Sequence, residues 1–173
     1  SLLVYWGLSL SAGDALLGLN PAIDTTVAGT PNAYDHYLEG LRLLERWDKD
    51  DNLETAIGLF REASALDPGF ALAYARLADA LRIRYALTGE EQWLEQATNS
   101  VNQAIRLGAD LGPVQVALGR VQAMHGNFDL ATAALERALA IDPNDAVANQ
   151  AIAGVYARLG RPEDAETHYR KAL

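Results

Sequence analysis

Cysteine is absent from the 173 residues. Its absence excludes disulfides, thiolate nucleophiles and cysteine-based zinc or iron–sulfur sites together, and it leaves the compartment open. Basic residues are few: 14 lysines and arginines stand against 23 aspartates and glutamates, for a formal net charge of -9. A field of that sign repels phosphate backbones, so nucleic acid is not expected as a partner unless the arginines gather on one face. Long hydrophobic runs are missing too. The opening SLLVYWGLSL is apolar for about ten residues before Ser11, Gly13 and Asp14 interrupt it, whereas a bilayer span needs roughly 20. That stretch reads as the tail of a longer apolar segment or, as its length favours, a piece of core from a preceding element. The chain starts at Ser1 without methionine and stops at Leu173 inside a pattern, so a fragment or processed product is expected. A cytoplasmic location is favoured, a periplasmic one remaining open if a membrane segment lies upstream.

Catalytic signatures are equally scarce. His36, His125 and His168 are the only histidines, and none has a second histidine at metal-binding spacing on its own helix face, so ordinary surface or groove histidines are expected. Asp48-Lys49-Asp50-Asp51-Asn52 lacks the turn glycine and closing glutamate of a calcium loop, so a solvated, helix-capping turn is expected there. There is no glycine-rich phosphate loop and no serine in a nucleophile elbow. No enzyme active site, metal or cofactor is expected in this stretch.

What is present is repetition. Half of the residues are hydrophobic and 21% are charged, too apolar for disorder. Three related stretches, FREASALDPGF from Phe60, VNQAIRLGADL from Val101 and LERALAIDPND from Leu135, begin 41 and then 34 residues apart. Each belongs to a small–large–small triplet: Ala56, Phe60, Ala63; Ala97, Val101, Ala104; Ala131, Leu135, Ala138; and finally Ala165, Tyr169, Ala172. Spacings of four and three put each triplet on one helical face. Upstream of each lies a second apolar-periodic run with a small residue, at Gly40, Ala78, Gly119 and Ala153. A helical glycine costs about 1 kcal/mol relative to alanine, so Gly40 and Gly119 imply close approach of another helix.

The offsets from these small residues to the next triplet are 16, 19, 12 and 12. The first two units are therefore longer, by amounts near one and two helical turns, which lengthens their hairpins without rotating the stripe. Asp67-Pro68 and Asp142-Pro143 end second helices, because the residue before proline leaves the helical region. Gly126-Asn127 and Gly160-Arg161-Pro162 divide the last two units, with Asn127 suited to capping and Pro162 to a first turn. Thr88-Gly89-Glu90-Glu91 has capping-box spacing. Residues 33–173 are predicted to be all-α hairpins.

These residues resemble a tetratricopeptide repeat array, whose 34-residue helix–turn–helix unit carries a Leu-Gly, Tyr, Ala, Phe and terminal Pro pattern. Leu118-Gly119, Gly126, Ala131, Leu135, Ala138 and Pro143 fit it best; Ile152-Ala153, Tyr156, Gly160, Ala165, Tyr169 and Ala172 follow. Gly40, Leu43, Ala56, Phe60, Ala63 and Pro68 mark the first unit, while the second has Leu77-Ala78, Leu81, Ala97, Val101 and Ala104 but Ala109 in place of proline. The resemblance implies an all-α, right-handed solenoid over 32–173, with repeats at about 33–70, 71–111, 112–145 and 146–173, after an N-terminal element and linker in 1–31. AYDHYLEGLRLLER and ALDPGFALAYARLADA also resemble the first repeats of arrays in large bacterial signalling proteins, where they follow kinase, cyclase, winged-helix or TolB-like domains.

The family lines a concave face with its first helices. That phase implies a ligand groove at Tyr34, Tyr37, Leu41 and Leu44; at Leu72, Ala75, Asp79 and Arg82; at Val116, Arg120 and Ala123; and at Gln150, Gly154 and Ala157. A protein or peptide partner would set apolar anchors on the tyrosines and pair a carboxylate with Arg82 or Arg120. Residues 1–30 capping Tyr34 and Tyr37 is the competing expectation. The polar clamp that grips chaperone tails is not matched, since Tyr37, Leu41, Ala75 and Asp79 occupy its positions. A non-catalytic binding scaffold within a larger signalling or regulatory protein is expected. The alternative is an architectural spacer that self-associates through its ends.

Overall fold

In the computed structural model, residues 31–49 and 51–173 are described; the expectations for the N-terminal segment, its capping role and Asp50 lie outside them. Eight helices and no strand occur among the described residues. They run α1 (Pro31–Leu44), α2 (Asn52–Leu66), α3 (Ala71–Thr88), α4 (Glu91–Gly108), α5 (Gly112–Met124), α6 (Phe128–Ile141), α7 (Ala146–Arg158) and α8 (Pro162–Lys171). Consecutive helices pair as hairpins, and each hairpin packs on the next: α2 on α3, α4 on α5, α6 on α7. The first helices also touch in series, α1 with α3, α3 with α5 and α5 with α7, making one layer of a solenoid.

The triplets form the seams. Ala56, Phe60, Ala63, Ala97, Val101, Ala104, Ala131, Leu135 and Ala138 are at most 1% exposed. In α8 only Ala165 is buried, and Tyr169 is exposed. The two helical glycines are explained as the sequence implied. A Cβ on Gly40 would sit 2.7 Å from Phe60 Cε1, and one on Gly119 would sit 2.5 Å from Leu135 Cγ and 3.1 Å from the Ala131 carbonyl oxygen. Both lie inside van der Waals contact, so the large residue of each triplet occupies the volume that a side chain on the glycine would take.

The corners follow from local chemistry. Asp67 and Asp142 leave the helix at φ -133, ψ 94 and φ -135, ψ 100, as a residue before proline must. Each carboxylate accepts a hydrogen bond from the backbone two residues on, Gly69 N at 2.9 Å and Asn144 N at 3.0 Å. Gly126 and Gly160 turn the last two hairpins at φ +77 and +70, a region glycine enters without steric cost. At the joint lacking proline, Ala109 stays helical at φ -59, ψ -25. There the buried Gln115 donates from Nε2 to the Ala109 carbonyl at 2.7 Å. Asn149, at the same place in α7, donates to the Pro143 carbonyl at 3.1 Å.

Three local expectations are corrected. The extra residues of the first unit do not lengthen its helices: 45–49 form successive turns, with Arg46 N donating to Leu43 O and Lys49 N to Arg46 O. Only the second unit elongates, to two 18-residue helices. Thr88 is not an N-cap but the last residue of α3; its hydroxyl accepts from Glu90 N, and Glu90 precedes α4. Asn127 precedes α6 without capping it, and its Nδ2 donates to Gln122 Oε1. The side-chain cap that does form went unanticipated: Asp145 accepts from Val147 N and Ala148 N at 2.8 and 3.0 Å.

Candidate functional site

The predicted groove positions divide by burial. Tyr37 is 0% exposed, its ring 4.9 Å from Phe70 and 6.1 Å from Phe60, and Tyr34 lies half-buried 6.0 Å from Tyr37. Leu41, Leu72, Ala75, Asp79 and Val116 are also buried. The expectation that these side chains line an open groove is corrected there. Packing explains it: the positions counted as open are where first helices meet their neighbours, so Leu72 and Tyr37 enter one core cluster and Val116 the other. Leu44, Ala123 and Gly154 are half-buried, and Gln150 and Ala157 are exposed. Arg82 and Arg120 keep about a fifth of their side-chain surface, 21% and 22%.

Asp79 gathers the arginines. Arg120, reaching across from α5, places Nη1 3.3 Å from both Asp79 carboxylate oxygens. Arg76 and Arg82 lie one helical turn to either side of Asp79 on α3, at 3.5 and 3.8 Å. Burial pushes the Asp79 carboxyl up, but Arg120, Arg82 and Arg76 together override it and hold the group below its ordinary value. Arg82 is pulled down, first by burial and then by repulsion from Arg120 and Arg158, against the attraction of Asp79. Burial also opposes the charge of Arg76, where Tyr37, Asp79 and the more distant Asp145 outweigh it.

Sequence reasoning missed Arg76 and Arg158 as members of this face. The signal for Arg76 was legible: Arg76, Asp79 and Arg82 recur at intervals of three in ARLADALR, which puts them side by side on a helix. Arg158 needs the tertiary fold, because α7 brings it toward Arg82.

Other polar groups serve packing. His36 lies 3.3 Å from Glu62; His125 meets the Thr98 hydroxyl at 2.9 Å; His168 Nδ1 meets Asn149 Oδ1 at 2.9 Å. Arg84 pairs with Glu54 and lies over the Trp93 ring at 4.9 Å, tying α2 to the second hairpin. No cluster of three metal-ligating side chains occurs among the described residues, and no described helix is long and apolar enough to cross a membrane. An open depression of about 300 Å³ lies against α4, lined by Tyr74, Asn99, Ser100, Asn102, Gln103 and Arg106. It has no residue in common with the arginine cluster.

Comparisons with known proteins agree with this architecture. Residues 122–173 match the family described as tetratricopeptide repeat. Among curated proteins, none matches the chain. Among solved structures, the thermophilic TPR protein TTC0263 of Thermus thermophilus is similar at 25% identity, covering 92% of this chain and 81% of that one, with a TM-score of 0.71. PilF of Pseudomonas aeruginosa is similar at 21% identity, 82% and 60% coverage, and a TM-score of 0.62. MamA from Desulfovibrio magneticus RS-1 follows at 16% identity, 81% and 73% coverage, and a TM-score of 0.56.

Proposed function

We propose, from the premise that the chain is a tetratricopeptide repeat solenoid, that it is a non-catalytic scaffold holding a protein or peptide partner on its first-helix face. One observation carries this reading: Arg82 and Arg120, from successive first helices, converge on Asp79 with about a fifth of each side chain, 21% and 22%, still open to solvent. Arginines there can bind a partner's carboxylate or backbone carbonyls in bidentate fashion, and half-buried Tyr34 and Leu44 offer apolar contact further along. The first-repeat resemblance supports a larger signalling or regulatory parent. The organisms named for the similar structures fit a bacterial setting.

The experiment is affinity capture with the native chain and with Arg82→Ala and Arg120→Gln, each checked for helical content. Partners retained by the native chain should be lost from both variants. Unchanged capture by folded variants would reject the face. A second reading, self-association, draws on the exposed Leu159 and Tyr169 of the last hairpin. It predicts concentration-dependent dimers by sedimentation that Tyr169→Glu dissociates while the arginine variants do not.

A further inference from the structure

We infer that the Asp79 cluster is a receptor for acidic peptide segments, in which a ligand carboxylate completes a charge balance that the fold leaves unfinished. The inference rests on the reading of the first-helix face as the ligand face. Three guanidiniums stand around one carboxylate at 3.3–3.8 Å. At longer range Arg158 adds a cation beside Arg82 and Asp145 an anion beside Arg76. Among the described residues three arginines thus depend on the single Asp79 carboxylate for their ion pairs, with Arg158 a fourth cation acting on Arg82, in a chain whose net charge is -9.

The mismatch concentrates on Arg82. Its Nε is buried without a hydrogen bond, the nearest Asp79 oxygen being 3.8 Å away. Repulsion from Arg120 and Arg158 acts on the same group. An arginine presents about five N–H donors and a carboxylate about four acceptor sites, so Asp79 alone cannot satisfy three guanidiniums. A second carboxylate entering between Arg82 and Arg120 would take up idle donors in a partly desolvated setting, where charge-assisted hydrogen bonds are strong. Arg158 pairs with no carboxylate among the described residues, is exposed, and is near enough for its charge to act on Arg82. Nucleic acid is the poorer fit, because three guanidiniums gathered on one carboxylate make a short site and not a basic stripe that could follow a phosphate backbone.

The test is fluorescence anisotropy of the full chain with a labelled oligo-glutamate peptide and its oligo-glutamine counterpart. The glutamate peptide should bind at least about tenfold more tightly, and added salt should weaken it. Arg120→Gln should lower its affinity about tenfold. Arg158→Gln, an exposed change that cannot unfold the cluster, should lower it measurably, and Arg137→Gln on the outer surface of α6 should leave it unchanged. Equal binding of the two peptides, with Arg120→Gln still weakening both, would overturn the acidic preference and keep the face. No binding of glutamate, glutamine, lysine-rich or leucine-rich peptides would overturn both readings. A single-stranded oligonucleotide that binds more tightly than oligo-glutamate would overturn the peptide assignment.

Discussion

The first two hairpins and the last two use the same seam but fill it differently. Tyr37, Phe60 and Phe70 are at most 1% exposed and interlock around the α1–α2–α3 junction. The later core is assembled from Leu135, Ile152, Val155, Tyr156 and alanines. The later hairpins also keep short helices of 13, 14, 13 and 10 residues, whereas α3 and α4 extend to 18. The small–large contact between paired helices survives both changes, as Gly40–Phe60 and Gly119–Leu135 show. The repeat is therefore defined by its seam. Length and filling are free to vary around it.

Core truncation should give the largest effect. Phe60→Ala removes a fully buried ring touching Tyr37 and should cost about 3–5 kcal/mol, Leu135→Ala about 2–5 kcal/mol. Urea unfolding of both variants reads the difference, and a greater loss for Leu135→Ala would break the idea that the aromatic junction is the stronger core. Adding a methyl at the seam comes next. Gly119→Ala meets the Ala131 backbone as well as Leu135, and should destabilise by about 1–3 kcal/mol, less up to about 1 kcal/mol of helix propensity. Gly40→Ala meets the Phe60 ring first, a side chain that can tilt, so its melting temperature should fall less.

The joints offer a finer comparison. Gln115→Leu and Asn149→Leu each take a buried amide donor away from the joint carbonyl it holds and should cost about 0.5–1.5 kcal/mol. Hydrogen exchange should show the loss spreading from the α4–α5 joint in the first case and from the α6–α7 joint in the second. Matching exchange patterns would mean that the hairpins unfold as one unit.

Acid should separate the two regions most gently. His168 is held below its ordinary 6.5, first by burial and then by Lys171. Its contribution is thus complete above pH 6.5 and declines as the pH falls through the lowered value; solvent exposure keeps it small. Asp79 is held below 3.8, so its contribution stays complete until the pH falls below that value. NMR titration should therefore show the surroundings of His168 responding before the Asp79 cluster on acidification. His168→Gln should abolish the early response, and Asp79→Asn the late one.

Much of this was legible in the sequence because periodicity reports packing between adjacent helices. The triplets, the two seam glycines and the Asp-Pro corners all express constraints within one hairpin or between consecutive segments. The arginine cluster was only half legible. Asp79 and Arg82 were placed on the first-helix face, but their partnership with Arg120 depends on how α3 meets α5, a register that no single helix carries. For the same reason Tyr37, Leu72 and Val116 were read as open positions. A turn was expected from Asp48 on, and its earlier start at 45 escaped because a four-residue excess fits a helical turn and a loop equally well by count.

The corners also bear on how such a chain could grow. Asp67 and Asp142 share backbone angles to within a few degrees, so a segment copied from one corner to the other would leave and rejoin the chain in the same direction. The joint at Ala109 is built on another conformation and secured by Gln115. A tandem copy taken at either aspartate corner would thus meet matched geometry, whereas the middle joint would present it with a different one. The arginines that meet across it, from α3 and α5, would be inherited together.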